Sequence, residues 1–264
     1  MRPLTLSLGI AYDDVGSGIP TVFVHGFPLR RSMWRPQLSG LSQLCRCIAP
    51  DLRGFGESVA EGPYSMDRYA DDIAELLDAC SVRRAVIAGC SMGGYITFAF
   101  WRRHRERVLG VALCDTRPGA DDEAGLARRR DMIRAAREHG STAVADMMID
   151  TLLGPTTRER SPEVMREVRA MLTSAPVDGV VGAIEAMMQR PDSNPTLATI
   201  DVPTVVITGA EDAIAPVEEA RAMSDAIRGS SFEIIPGAGH LSNIERPAAF
   251  NTVFGEFLAR IRAD

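Results

Sequence analysis

No stretch of the 264-residue chain approaches the roughly 20 consecutive apolar residues that a membrane-spanning helix requires, so no membrane partner is expected. Surplus positive charge is missing as well. The 29 basic residues face 35 acidic ones, for a formal charge of −6. Nucleic acids and anionic lipids draw proteins through excess positive charge, and neither is an expected partner. Met1 to Ile10 holds one arginine, no long apolar run and no small-residue cleavage pattern. No secretory leader is read there. Histidine is scarce, at four residues, and no His, Cys or carboxylate cluster has metal-ligand spacing. No metal or cofactor is expected. The five cysteines are odd in number and none forms a zinc-type pair. They read as reduced, mostly buried thiols of a reducing compartment, and the expected location is cytoplasmic. Cys45 and Cys47, two apart in a probable strand, are expected to point to opposite faces. Gly54-Phe55-Gly56 lacks the remainder of either glycine-rich nucleotide motif, which leaves a turn held by Asp51 and Arg53.

What is present is a globular composition, 45% hydrophobic and 24% charged. A chain of this length buries about three-quarters of its unfolded surface when it forms one domain. Short β-rich runs cover 21–25, 45–50, 85–89 and 108–114. Between them lie helical patterns. Over 65–80, Tyr69, Ile73, Leu76, Leu77 and Cys80 share one stripe, with Ser65 as N-cap. The segment 92–104 is apolar nearly all round and reads as a buried helix. Strands alternating with helices imply an α/β fold with a mostly parallel sheet covered on both faces.

The rhythm breaks after position 116. Segments 121–139, 141–153, 162–173 and 177–190 each look helical, punctuated by Gly140, Gly154-Pro155, Pro176, Pro191 and Pro195. Strand pattern returns at 204–208 and 231–235, with helices at 216–227 and 247–261. The expected division is a core of residues 1–116 and 196–264 and an all-helical cap of residues 117–195. The insert is rich in methionine, a side chain suited to irregular apolar surfaces. Met147 and Met148 are candidates for the roof of a substrate pocket, with ordinary packing as the alternative. The Arg128-Arg129-Arg130 run is expected to be a solvated helix face.

Gly89-Cys90-Ser91-Met92-Gly93 fits G-x-S-x-G between a strand and a helix. In that setting the serine sits on a strained turn with its hydroxyl exposed, and flanking glycines let two backbones approach. A serine needs a base. His104 and His139 lie in charged helices, and His25 ends a strand. His240, in Gly237-Ala238-Gly239-His240 after the last strand, satisfies the chain order serine, acid, histidine. The orienting acid is expected at Asp212, after the run 204–208. Asp115, after 108–114, is the competitor, and Glu211 stands third.

His25-Gly26-Phe27-Pro28, Asp51 to Ser58, Gly89 to Gly94, Gly209 to Asp212 and Gly237 to His240 occur in one order along the chain. In these motifs the chain resembles the α/β-hydrolase superfamily over nearly its whole length. Within it, the chain is similar to the cofactor-free esterase, 3-oxoadipate enol-lactonase and non-haem haloperoxidase (perhydrolase) group. The resemblance implies an eight-stranded sheet, an inserted helical cap and hydrolysis of a small carboxylic ester or lactone. It also implies an oxyanion hole from the backbone N–H groups of Phe27 and Met92, with His25 buried and shaping that loop. Trp34, a few residues beyond, is a candidate pocket wall. A carbon–carbon bond hydrolase and a perhydrolase use the same triad and remain alternatives, as does a small-molecule receptor with little turnover. A homo-oligomer is possible.

Overall fold

A computed structural model describes residues 4–5 and 9–261. The outer limits of the expected core, residues 1 and 264, lie outside the described residues. Eight strands form one sheet: β1 (Leu4–Thr5), β2 (Ala11–Val15), β3 (Ile19–Val24), β4 (Cys45–Pro50), β5 (Ala85–Cys90), β6 (Val108–Cys114), β7 (Thr204–Gly209) and β8 (Ser231–Ile235). Their spatial order is β1-β2-β4-β3-β5-β6-β7-β8. The first two strands pair antiparallel, β2 also runs antiparallel to β4, and the other pairs are parallel.

Every residue of β5, β6 and β7 is buried. That is why they read as unbroken apolar runs: strands covered on both faces have no polar side to alternate with. β2, Ala-Tyr-Asp-Asp-Val, lies near the sheet edge with partly exposed acids and carries no such signal. Side chains alternate between two cores. Val22, Val24 and Ile87 enter the core that also takes the buried face of the helix Met66–Ala79, whereas Phe23, Val86 and Ala88 enter the opposite one. Cys45 and Cys47 belong to the same core, with sulfurs 3.5 Å apart. The opposite-face expectation is wrong because residues i and i+2 of a strand share a face.

The helices are α1 (Arg35–Leu41), α2 (Met66–Ala79), α3 (Met92–His104), α4 (Glu123–Leu152), α5 (Pro155–Arg160), α6 (Pro162–Thr173), α7 (Val177–Met188), α8 (Asn194–Leu197), α9 (Val217–Asp225), α10 (Ser242–Glu245) and α11 (Pro247–Leu258). Ser65 caps α2 by accepting the Arg68 N–H at 2.9 Å. The two helices expected around Gly140 form α4, broken at that glycine, whose φ of 76° and ψ of −175° leave helical space. Helices α4 to α8 lie in sequence between β6 and β7. Helix α8 crosses the expected boundary at residue 195. No described helix is long and apolar enough to cross a membrane.

Candidate active site

Parallel strands all point their carboxyl ends to one edge of the sheet, and in open α/β sheets that edge is where ligands bind. Phe27 follows β3, Ser91 follows β5, Asp115 follows β6, Asp212 follows β7 and His240 follows β8. The fold therefore gathers side chains that are far apart in sequence.

Ser91 sits at the strand-to-helix turn with φ 53° and ψ −115°. A non-glycine residue held there stores about 1–3 kcal/mol of strain, and the surroundings must over-determine it. Its N–H donates to the Cys114 carbonyl at 3.0 Å, and its carbonyl accepts the Thr116 hydroxyl at 2.8 Å. A Cβ on Gly89 would stand 2.1 Å from the Gly93 carbonyl oxygen, and one on Gly93 would stand 2.3 Å from that of Val24. The turn closes only with hydrogen at both positions. Met92 is the first residue of α3, where a backbone N–H has no acceptor within the helix.

The Ser91 hydroxyl lies 2.8 Å from Nε2 of His240, and Nδ1 of His240 lies 2.8 Å from a carboxylate oxygen of Asp212. The other Asp212 oxygen accepts the N–H groups of Ile214 at 2.8 Å and Ala215 at 2.9 Å. Burial by itself would lower the His240 pKa. The adjoining Asp212 carboxylate and its hydrogen bond outweigh burial and hold the imidazole above its ordinary value of 6.5, with Asp115 and Glu245 adding to the effect. Burial would raise Asp212, but His240 and the two backbone donors bring it below the usual carboxylate range.

The profile of the α/β-hydrolase fold family matches residues 20–247. The chain belongs to the α/β-hydrolase family. It is 39% identical to a thermophilic esterase from Thermogutta terrifontis with malate bound, with a TM-score of 0.95 and full coverage of both chains. The enol-lactonase from Burkholderia xenovorans LB400 is 31% identical, with a TM-score of 0.88, covering 95% of this chain and 96% of that one. A curated relative, 3-oxoadipate enol-lactonase 2 of Acinetobacter baylyi, is 29% identical over 231 residues, which are 87% of this chain and 85% of the relative.

In this α/β-hydrolase, Ser91 and His240 open into a cavity of about 600 Å³. Phe27, Met132, Met147, Met148 and Met187 contribute apolar walls. Trp34 does not. Its indole is fully buried between Phe23 and Phe250, with ring centroids 5.1 and 6.1 Å away. A bulky aromatic near the loop packs into the core because α11 brings its own phenylalanines to meet it. A larger cavity, about 730 Å³, is lined by Arg30, Arg31, Arg35 and Asp51 among others, and shares no lining residue with the first.

The mouth of the serine cavity is charged. Asp121, almost fully buried, accepts from Arg117 at 3.1 Å, Arg190 at 2.8 Å and Arg129 at 3.1 Å. Burial opposes its ionisation, yet the Arg190 and Arg129 guanidinium groups hold its carboxyl well below the usual range. Of the Arg128–Arg130 run, Arg128 and Arg130 are exposed, Arg130 paired with Glu123, whereas Arg129 is half-buried against Asp121; Arg128 and Arg129 also line the cavity. Expecting the whole run in solvent overlooked Asp121, eight residues before Arg129.

His25 is fully buried. Its Nδ1 donates to the Gly26 carbonyl and its Nε2 accepts the Leu52 N–H, each at 2.9 Å. Burial depresses its pKa, so it works as a neutral brace for the loop leading to Phe27. Asp51 and Arg53 serve separate contacts. Asp51 accepts the N–H groups of Arg31 and Glu57, whereas Arg53 pairs with Asp72 at 2.7 Å. Glu211 accepts the Thr156 N–H and hydroxyl and stays apart from His240. Sequence reasoning missed Glu245, whose carboxylate accepts the N–H groups of Gly154, Gly239 and Leu241 at 2.9, 2.9 and 3.2 Å. Three loop amides meeting one buried acid leave no sequence signal, since the acid ends the short α10 and is followed by the helix of 247–258.

Proposed function

We propose that this protein hydrolyses a small carboxylic ester or lactone through a Ser91–His240–Asp212 triad and an acyl-enzyme. Its family and its esterase and enol-lactonase relatives make it a carboxylic ester hydrolase. The observation that carries the finer reading is the unbroken hydrogen-bonded path from hydroxyl to imidazole to carboxylate, 2.8 Å at each step, opening into the cavity.

His240 takes the Ser91 proton as the oxygen attacks the carbonyl carbon. The developing oxyanion is stabilised by the backbone N–H groups of Phe27 and Met92, each such donor being worth about 2.7–4 kcal/mol. The imidazolium then protonates the leaving alcohol oxygen. A water attacks the acyl-enzyme with His240 again as base, and Ser91 recovers its proton as the acid product leaves. Asp212 fixes the tautomer and offsets the imidazolium charge without taking the proton. Residues 117–195 act as a cap over the core formed by residues 1–116 and 196–264. Met147 and Met148 from the cap supply apolar contacts to the acyl or leaving group.

A hydrolysis panel of short and long acyl esters, lactones and vinylogous diketones, with S91A as control, tests the proposal. Ester or lactone turnover that disappears in S91A supports it. Turnover that persists in S91A, or turnover confined to carbon–carbon bonds, overturns it.

A further inference from the structure

Asp115 lost the competition for the acid's place, yet it is the most enclosed carboxylate at the site. It is fully buried, directly after β6, with φ 45°. Its N–H donates to the Ile207 carbonyl at 2.8 Å, which extends the β6–β7 ladder by one residue. One side-chain oxygen accepts the Gly209 N–H at 2.8 Å. The other accepts the Ser242 N–H at 3.1 Å and the Ser242 hydroxyl at 2.6 Å. Gly209 ends the strand that leads to Asp212. Ser242 stands just beyond His240 at the start of α10. One carboxylate thus ties the loop that carries the acid to the loop that carries the base.

We infer that Asp115 is a positioning residue for this hydrolase: its carboxylate clamps the Asp212 and His240 loops together and its negative charge stabilises the imidazolium formed during catalysis. The inference rests on the proposed triad. A carboxylate that accepts three hydrogen bonds is fitted to be an anion. Burial and the nearby Asp212 charge oppose that and push its pKa up to about 7, with His240, Ser242 and Gly209 pulling the other way. The charges on Asp115, Asp212 and His240 therefore bear on one another's ionisation. The other ionisable neighbours are the Glu245 carboxylate of α10, which acts on His240, and the buried thiols of Cys90 and Cys114, both pushed up first by burial and then by Asp115.

A purely architectural residue would change stability and nothing else, so the test must read the base itself. Asp and Asn tolerate a positive φ better than other non-glycine residues, which makes D115N the least disruptive probe. It removes the charge and turns one acceptor into a donor that faces an amide N–H. We expect kcat/KM on a short aryl ester to fall about tenfold through kcat, with KM little changed. We also expect the acidic limb of the pH profile to move down by about half a unit or more, because an imidazolium with one fewer anion beside it loses its proton more easily. S242A, which removes one donor from the clamp, should lower kcat in the same direction by less.

If D115N fails to fold, D115G, which also removes the charge and which the φ of 45° tolerates, decides the question by the same two readouts. A limb that stays in place in folded D115N or D115G, with any loss explained by lowered Tm, overturns the inference. Fluorophosphonate labelling of wild type and S91A keeps the two claims separate. An unlabelled wild type refutes the triad itself, whereas a labelled wild type with an unmoved limb refutes only the role of Asp115.

Discussion

Nε2 of His240 stands 2.8 Å from Oγ of Ser91, although 149 positions separate them in the chain. The contact exists because β5 and β8 run parallel and end on the same edge of the sheet. It makes the serine a nucleophile only if the imidazole is neutral at the moment of attack.

Removing the hydroxyl should abolish the reaction while sparing the fold. S91A is expected to lose on the order of 10⁴-fold or more in kcat, read from release of a chromophoric alcohol. Its Tm should be close to that of wild type, because the side chain is only partly buried and the strained backbone at position 91 is held by Cys114 and Thr116.

The acidic limb of kcat/KM is expected above pH 6.5. The sign follows from the raised pKa of His240. Below that pKa the base is protonated and idle, and activity appears as pH rises through it. The same shift has a stability consequence. A group whose folded pKa is raised contributes stability that is fully present below its unfolded value and is lost as pH rises through the folded one. A limb below pH 6 would contradict the Asp212–His240 pairing.

G93A should both destabilise the protein and disable it. The added methyl would lie 2.3 Å from the Val24 carbonyl oxygen, and backbone cannot swing aside as a side chain can. Overpacking of this kind costs about 1–3 kcal/mol, measurable by urea unfolding. Because α3 would shift outward, the Ser91 and Met92 geometry should loosen, and kcat should fall further than the stability loss explains.

E245Q removes one acceptor from a buried acid that satisfies three backbone amides. Leaving one of those N–H groups unpaired costs about 1–3 kcal/mol. The affected amides flank His240 and the start of α5, so the loss should appear as a lower Tm together with a lower kcat.

D121N breaks the cluster of Arg117, Arg129 and Arg190 around that carboxylate, part of which lines the cavity. Removing the anion from this partly buried group of cations should cost stability, by less than the about 3–5 kcal/mol of a fully buried pair. Asp121 has a depressed folded pKa, so its contribution is present above the unfolded carboxylate value and lost as pH falls through the folded one. The Tm difference between wild type and D121N should therefore shrink in strong acid.

The strands whose residues are all buried were legible from the chain alone. The range read for β6 matches that observed, and β5 and β7 differ by one residue at an end, because a strand covered on both faces must be apolar throughout. The serine turn was legible for a related reason: a strained approach of strand and helix demands glycine at fixed offsets. Where two physical demands coincide on one position, the residue type reveals them.

Other features were hidden because their partners are remote. Trp34 and Phe250 meet through folding alone, and nothing near Trp34 forecasts a core position over a pocket wall. Asp115 and Asp212 both follow apolar strands, so the sequence favoured Asp212 while leaving Asp115 as a competitor. Only the tertiary structure decided between them, by turning Asp212 to Nδ1 of His240 and Asp115 to Gly209 and Ser242. Sequence by itself determined the alternation of elements, the strained serine and the order of candidate residues, since these follow from local sterics and burial. Which carboxylate meets the imidazole, and which arginines crowd the cavity, depends on packing between distant segments, and that information resides in no single stretch of chain.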